Sequence, residues 1–140
     1  MIFEKHFKKK IVMVTATTEG VKISVETVYQ DEYSNPANSH YVFAYRINIE
    51  NLSDYSIQLK RRQWFIFDSS GVQREVEGEG VIGLQPVIEP GESHSYVSGC
   101  NLTTDMGTMT GSYLMSRLVD NTEFTVDIPK FSLIASYRLN

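Results

Sequence analysis

Apolar and polar residues alternate along most of this chain with a period of two, the signature of strands that bury one face. Val21, Ile23 and Val25 are separated by Lys22, Ser24 and Glu26. The next run is longer: Tyr41, Phe43, Tyr45, Ile47 and Ile49 share one face and are expected to point into a core, while Val42, Ala44, Arg46, Asn48 and Glu50 share the other. Ile57 and Leu59 begin another strand. It leads into Trp64-Phe65-Ile66-Phe67, apolar on both faces and so expected to be covered on both sides or to lie under a loop. Asp68-Ser69-Ser70-Gly71 has hairpin chemistry and should return the chain through Val72 to Glu77. In Glu89-Pro90-Gly91-Glu92, proline presets φ at the second position and glycine permits positive φ at the third, which predicts a type II turn and then a strand through Tyr96. Met109 to Leu118 and Glu123 to Ile128 complete the set, with Pro129 expected to break or edge the last strand before Phe131 to Ile134.

No window carries the period of an amphipathic helix. Seven or more short strands, with turn signals at intervals of roughly 8–12 residues, predict an all-β antiparallel sandwich rather than an α/β fold. The 140 residues suit one domain. The expected division is a flexible basic arm over residues 1–10 and a single sandwich domain over residues 11–140.

Thirteen Lys and Arg against seventeen Asp and Glu give a net charge of −4, which argues against a nucleic-acid coat. Lys5, Lys8, Lys9 and Lys10 against Glu4 put +3 on the first ten residues and leave −7 on the rest. The short apolar run at Ile11 to Val14 is below the length of a secretory h-region, and no stretch approaches a membrane-spanning helix. A single cysteine, Cys100, cannot make an internal disulfide, so the cytosol is the expected compartment.

Gly78, Gly80 and Gly83 match G-x-G-x-x-G, the spacing that lets backbone amides cradle a pyrophosphate at the start of a helix. Here Leu84-Gln85-Pro86 follows, no helical period develops, and Glu77 and Glu79 interleave with the glycines, so a glycine-rich turn or bulge is the competing reading. An amide nest without a helix remains a way to hold an anion. Glu75, Glu77 and Glu79 share a strand face with neighbours about 6.5–7 Å apart, an oxygen-only set that suits Mg²⁺ or Ca²⁺ or, as a row of like charges, protects a solvated edge from aggregation. For nucleophilic chemistry the materials are His6, His40, His94 and Cys100, but six residues of extended chain hold His94 and Cys100 roughly 20 Å apart. Met106, Met109 and Met115 offer soft thioethers for Cu(I), with core filling the favoured reading; Trp64 offers a binding anchor, with a buried sandwich tryptophan favoured. No G-x-S-x-G, H-E-x-x-H or C-x-x-C pattern occurs.

Read in order, several segments resemble the ApaG family, bacterial proteins whose domain also occurs in eukaryotic F-box proteins and in a DNA-polymerase-interacting protein. The segments are Phe43-Ala44-Tyr45, Arg62-x-Trp64, Asp68 with Gly71, Val76-x-Gly78-x-Gly80-Val81-x-Gly83-x-Gln85-Pro86, Pro90-Gly91, Tyr96 and Ser98-Gly99. Leu102-Thr103-Thr104, Gly107-x-Met109-x-Gly111-x-Tyr113-x-Met115 and Ile128-Pro129-x-Phe131 follow. Gln63 stands where the family often has histidine, and Asp105 where it often has proline. The resemblance implies an immunoglobulin-like or fibronectin type III-like sandwich and a non-catalytic module. It also implies associations with cobalt tolerance, magnesium transport and diadenosine tetraphosphate metabolism, and a suggested pyrophosphate signature at Gly78, Gly80 and Gly83.

Two functions are therefore expected. The first is a cytosolic protein-binding module that meets an unidentified protein through the loop from Glu77 to Gln85, with Glu79 and Gln85 as contacts. The second is a sensor of pyrophosphate-containing nucleotides, with Gly78, Gly80 and Gly83 on the phosphates and Glu75, Glu77 and Glu79 on Mg²⁺ or Co²⁺. No catalytic residue is assigned, no resident cofactor beyond that cation is expected, and neither membrane nor nucleic-acid binding is expected.

Overall fold

The alternating segments pair into two antiparallel sheets that face each other across the apolar residues of both. The structure, a computed structural model, describes residues 13–138; the lysine arm and His6 lie outside the described residues. The strands are β1 (Met13–Thr18), β2 (Val21–Tyr29), β3 (Tyr41–Asn51), β4 (Ile57–Asp68), β5 (Gln73–Glu79), β6 (Val87–Ile88), β7 (Ser93–Leu102), β8 (Met106–Arg117) and β9 (Glu123–Ile134). One sheet has the order β1-β2-β3-β7; the other runs β5-β4-β8-β9, with β6 paired to the start of β4. The only helical pieces among the described residues are three-residue 3-10 turns at Asp31–Tyr33, Pro36–Asn38 and Ser136–Arg138.

The period of two places the core as expected. Val21, Ile23, Val25, Phe43, Tyr45, Ile47 and Ile49 are buried against Ile57, Leu59, Trp64, Met109, Tyr113, Met115 and Phe131 of the facing sheet. Trp64 sits at the centre of the interface, with its ring 5.5 Å from that of Tyr45 and 5.8 Å from that of Phe131, both edge-on. Such contacts add about 0.5–1.5 kcal/mol per pair beyond area burial. Trp64 is therefore a core residue, as are Met109 and Met115. Met106 is half-buried and accepts a hydrogen bond from Arg138.

Several local expectations change. β1 pairs with β2 along its whole length although its residues are at best half-buried, so its sequence carries little alternation in hydropathy. Phe65 and Phe67 are not covered: they lie on the outer face of β4, 46% and 40% exposed, while Trp64 and Ile66 point inward. Pro129 does not end its strand. β9 is an edge strand, and its pairing shifts register against β8 between Met109 and Gly111, where a residue with no N–H to offer is accommodated. The type II turn forms, with Gly91 at φ +82° and the Glu92 amide donating to the Glu89 carbonyl.

The end of the sandwich opposite the glycine run is held by Asp68. Its carboxylate accepts from the amide and the hydroxyl of Thr103, both at 2.7 Å, from the hydroxyl of Thr104, and from the amide of Ser70 at 3.3 Å. Burial works against the charge, but these hydrogen bonds outweigh it and hold the carboxyl down at about 2. Asp105 next door accepts from the Tyr137 hydroxyl and pairs with Arg138 at 3.6 Å, so the residue that departs from the family pattern anchors the C-terminal turn.

A folded pKa below the unfolded one stabilises the protein above the ordinary carboxylate range, and that contribution is lost as the pH falls toward the folded value. Asp68→Asn is expected to cost about 2 kcal/mol at neutral pH. In urea unfolding, its gap from the parent should narrow steadily between about pH 4 and pH 2.

Candidate functional site

The two sides of the sandwich are not alike. On one, β1 and β2 close onto edge strand β9: the Asp127 amide donates to the Thr18 hydroxyl of β1 at 3.3 Å, and the Thr27 hydroxyl of β2 to the Ser132 carbonyl at 3.5 Å. On the other, edge strands β5 and β7 stand apart and leave a cleft of about 340 Å³ between the sheets. Tyr45, Trp64, Ile66 and Met109 lie along it, Ser98 to Asn101 of β7 form one wall, and Val81, Ile82 and Gly83 form one end.

Two arginines enter this cleft. Arg62 of β4 passes beneath β5, where a Cβ at Gly78 would lie only 3.0–3.2 Å from its guanidinium. It donates to the carbonyls of Glu79 and Gly80, both at 3.0 Å. Arg74 of β5 reaches across to β7 and donates to the Asn101 carbonyl at 2.5 Å and to the Cys100 sulfur at 3.4 Å. Among the described residues neither arginine has a carboxylate within ion-pair distance, whereas Arg46, Arg117 and Arg138 are paired with Glu26, Glu19 and Asp105.

The glycine run is a turn and a frame. Leu59 and Arg61 are out of register against β8, and the carbonyl of the intervening Lys60 accepts instead from the Gly80 amide and from the Gln85 side chain, both at 2.9 Å. Val81, Ile82, Gly83 and Leu84 then form a tight reversal in which the Val81 amide donates to Leu84 at 2.8 Å and the Leu84 amide to Val81 at 3.0 Å. Both central residues have positive φ, Ile82 at +48° and Gly83 at +73°, as in a type I′ turn. Each glycine thus has its own reason: Gly78 clears the guanidinium, Gly80 (φ +61°) lies where a Cβ would overlap the Leu84 carbonyl, and Gly83 supplies positive φ. The amides of Gly80 and Val81, which a phosphate would need, are already donated within the chain.

The other candidate residues are placed as follows. Glu75, Glu77 and Glu79 do share the outer face of edge strand β5, opposite Phe65, Gln63 and Arg61. Glu75 accepts from the Gln63 side chain at 3.0 Å. Among the described residues no group of three His, Cys, Asp or Glu is arranged to hold a metal ion. The Gln85 side chain is a brace on Lys60, while Glu79 is exposed. Cys100 is buried, and burial pushes its thiol up, partly offset by the Arg74 guanidinium, so it rests protonated. His94 lies on the same strand, with burial lowering its pKa, and His40 lies in the loop before β3. Neither Arg62 nor Arg74 stands out in the sequence as a ligand group; the available signal was Arg62 two residues before Trp64, which puts both on the inner face.

Comparison with known proteins agrees with this fold. The ApaG domain matches residues 31–117. Protein ApaG of Methylorubrum populi is 49% identical over 121 residues, covering 86% of this chain and 92% of its own length; that of Brucella abortus is 45% identical with the same coverage. The crystal structure of the putative ApaA protein from Bordetella pertussis superposes with a TM-score of 0.80 at 39% identity, over 83% of this chain and 94% of that one. These names state no catalytic activity.

If the glycine run is a frame, its members differ in tolerance. Gly80→Ala is expected to destabilise the protein by well over about 1 kcal/mol, because positive φ and the overlap with Leu84 act together. Gly83→Ala, with nothing within 4 Å, should cost only about 1 kcal/mol. Urea midpoints of the two variants check the order.

Proposed function

This chain belongs to the ApaG family, and from that premise we propose that it is a non-catalytic cytosolic module that binds another protein through the tip of the loop between β5 and β6. The observation that carries the reading is Ile82. It is a β-branched residue at φ +48°, where asparagine or glycine is at ease, and its side chain is 60% exposed. Local strain retained at an exposed apolar tip is accounted for when the side chain is used in a contact. Leu84 in the same turn is 56% exposed and Val87, at the start of β6, 47%, so exposed apolar side chains recur through this segment, which follows the exposed Glu79. The turn that carries them is braced to Lys60 by two hydrogen bonds, so little order has to be gained on binding.

The absence of catalysis in this reading rests on what the cleft holds: a protonated thiol, no histidine hydrogen-bonded to it among the described residues, and arginines already bonded to carbonyls. Links to cobalt, magnesium or diadenosine tetraphosphate would then run through the partner protein.

Ile82→Asn separates strain from contact. It is expected to raise the unfolding free energy by about 1 kcal/mol, since asparagine is content at positive φ. It should also abolish recovery of the partner that co-purifies with the parent chain and is then confirmed with purified components. Undiminished binding by this variant would contradict the proposal.

A further inference from the structure

We propose that the cleft between β5 and β7 is a receptor for a small organic oxyanion, a carboxylate or phosphate ester, with Arg62 and Arg74 as its cationic anchors. This inference does not rest on the protein-binding reading: its anchors are Arg62 and Arg74 on the inner faces of β4 and β5, and of the loop's exposed apolar residues only Ile82 reaches the end of the cleft.

The first support is the charge of the lining. The protein carries a net −4, yet among the described residues that line the cleft there is no Asp or Glu, and two guanidinium groups enter it. Glu75, Glu77 and Glu79 project from the opposite face of the same strand. Each arginine has five N–H donors and uses only part of them on carbonyls and sulfur, which among the described residues leaves a charged donor without an anionic counterpart. Carbonyl oxygens orient a guanidinium but do not neutralise it, so an arriving oxyanion meets cations that are already positioned.

The second support is the kind of polar group beside them. Tyr45 and Ser98 line the cleft, and the Tyr96 hydroxyl is hydrogen-bonded to that of Tyr113. Burial keeps these phenols protonated, so Tyr45 and Tyr96 line the cleft as neutral hydroxyls rather than negative charges, with one O–H of the Tyr96–Tyr113 pair donated between the two. The Asn101 carbonyl is turned away from β3 toward β5, since it accepts from Arg74. In a strand, residues two apart point the same way, so the Gly99 amide also faces the open edge and adds a backbone donor. Trp64, Ile66 and Met109 supply an apolar floor, and the volume of about 340 Å³ falls in the range of small-ligand sites, about 300–1,000 Å³. A ring or short apolar body can lie on that floor with its anionic group toward the arginines.

The test uses three probes of one shape: benzoate, phenyl phosphate and the uncharged benzamide, each titrated into the full chain and followed by amide NMR. Saturable shifts at Ser98, Gly99 and Asn101 are expected with benzoate, with phenyl phosphate, or with both, and the stronger of the two tells carboxylate from phosphate chemistry. Benzamide should leave them unmoved. Arg74→Met lies on an exposed edge strand and should keep the parent's unfolding midpoint while weakening the charged probe by about tenfold or more. Arg62→Lys keeps a cation there and, should it be less stable, Arg74→Met still decides. The proposal is overturned if no charged probe gives saturable shifts, if benzamide binds as well as benzoate, or if Arg74→Met binds as the parent does.

Discussion

The passage of the Arg62 guanidinium beneath β5 is the constraint around which this part of the molecule is built. A charged group that enters the space between two sheets must find oxygen acceptors there, and the carbonyls of Glu79 and Gly80 supply them. To reach them the side chain needs a strand above it with no Cβ at Gly78. The chain must then curl sharply inward at Gly80, which directs the Gly80 and Val81 amides to Lys60 and Leu84 and buries Val81 beneath the turn. The spacing that resembles a phosphate-binding fingerprint therefore follows from clearance, close approach and turn geometry at three separate positions.

The same arrangement explains why the sandwich is closed on one side and open on the other. Where β1 and β2 meet β9, the short side chains of Thr18 and Thr27 bridge the two sheets directly. Where β5 faces β7, a long cationic side chain from each of β4 and β5 occupies the gap, and the edges are kept apart. Edge strands are a hazard for uncontrolled pairing, and the outward carboxylates of β5 reduce it by charge. Those three glutamates thus have a structural reason that is independent of any cation. At the far end, Asp68 and the paired threonines 103 and 104 fasten β4 to the turn between β7 and β8, so both ends of β4 are held by polar side-chain bonds while Trp64 fixes its middle.

Much of the fold was legible because burial on one face imposes a period of two: β3 could be read residue by residue, and the turn at Pro90 and Gly91 by its φ requirements. The antiparallel sandwich followed from strand number and spacing, and the ApaG resemblance pointed the same way. β1 escaped because a half-exposed edge strand needs little apolar alternation. Phe65 and Phe67 misled because an aromatic on an outer face looks, in sequence, like a buried one. The site was less legible still. Whether an amide is free or donated depends on a bulge at Lys60 and on which carbonyl it meets, and neither is written in the spacing of glycines. That Arg62 and Arg74 share one cleft depends on the pairing of β5 with β4 and on which strands end up as edges, and these are long-range facts.

The central claim is that the amides of the glycine run are engaged in holding the turn and Arg62 in place. Hydrogen exchange at single residues tests this most directly. Gly80 and Val81 should exchange slowly, at rates close to those of the β4 and β8 ladder, while the Gly83 amide at the turn tip exchanges fast. Fast exchange at Gly80 and Val81 under native conditions would contradict the account, because those amides would then be free to cradle an anion and the frame described for Arg62 would not exist.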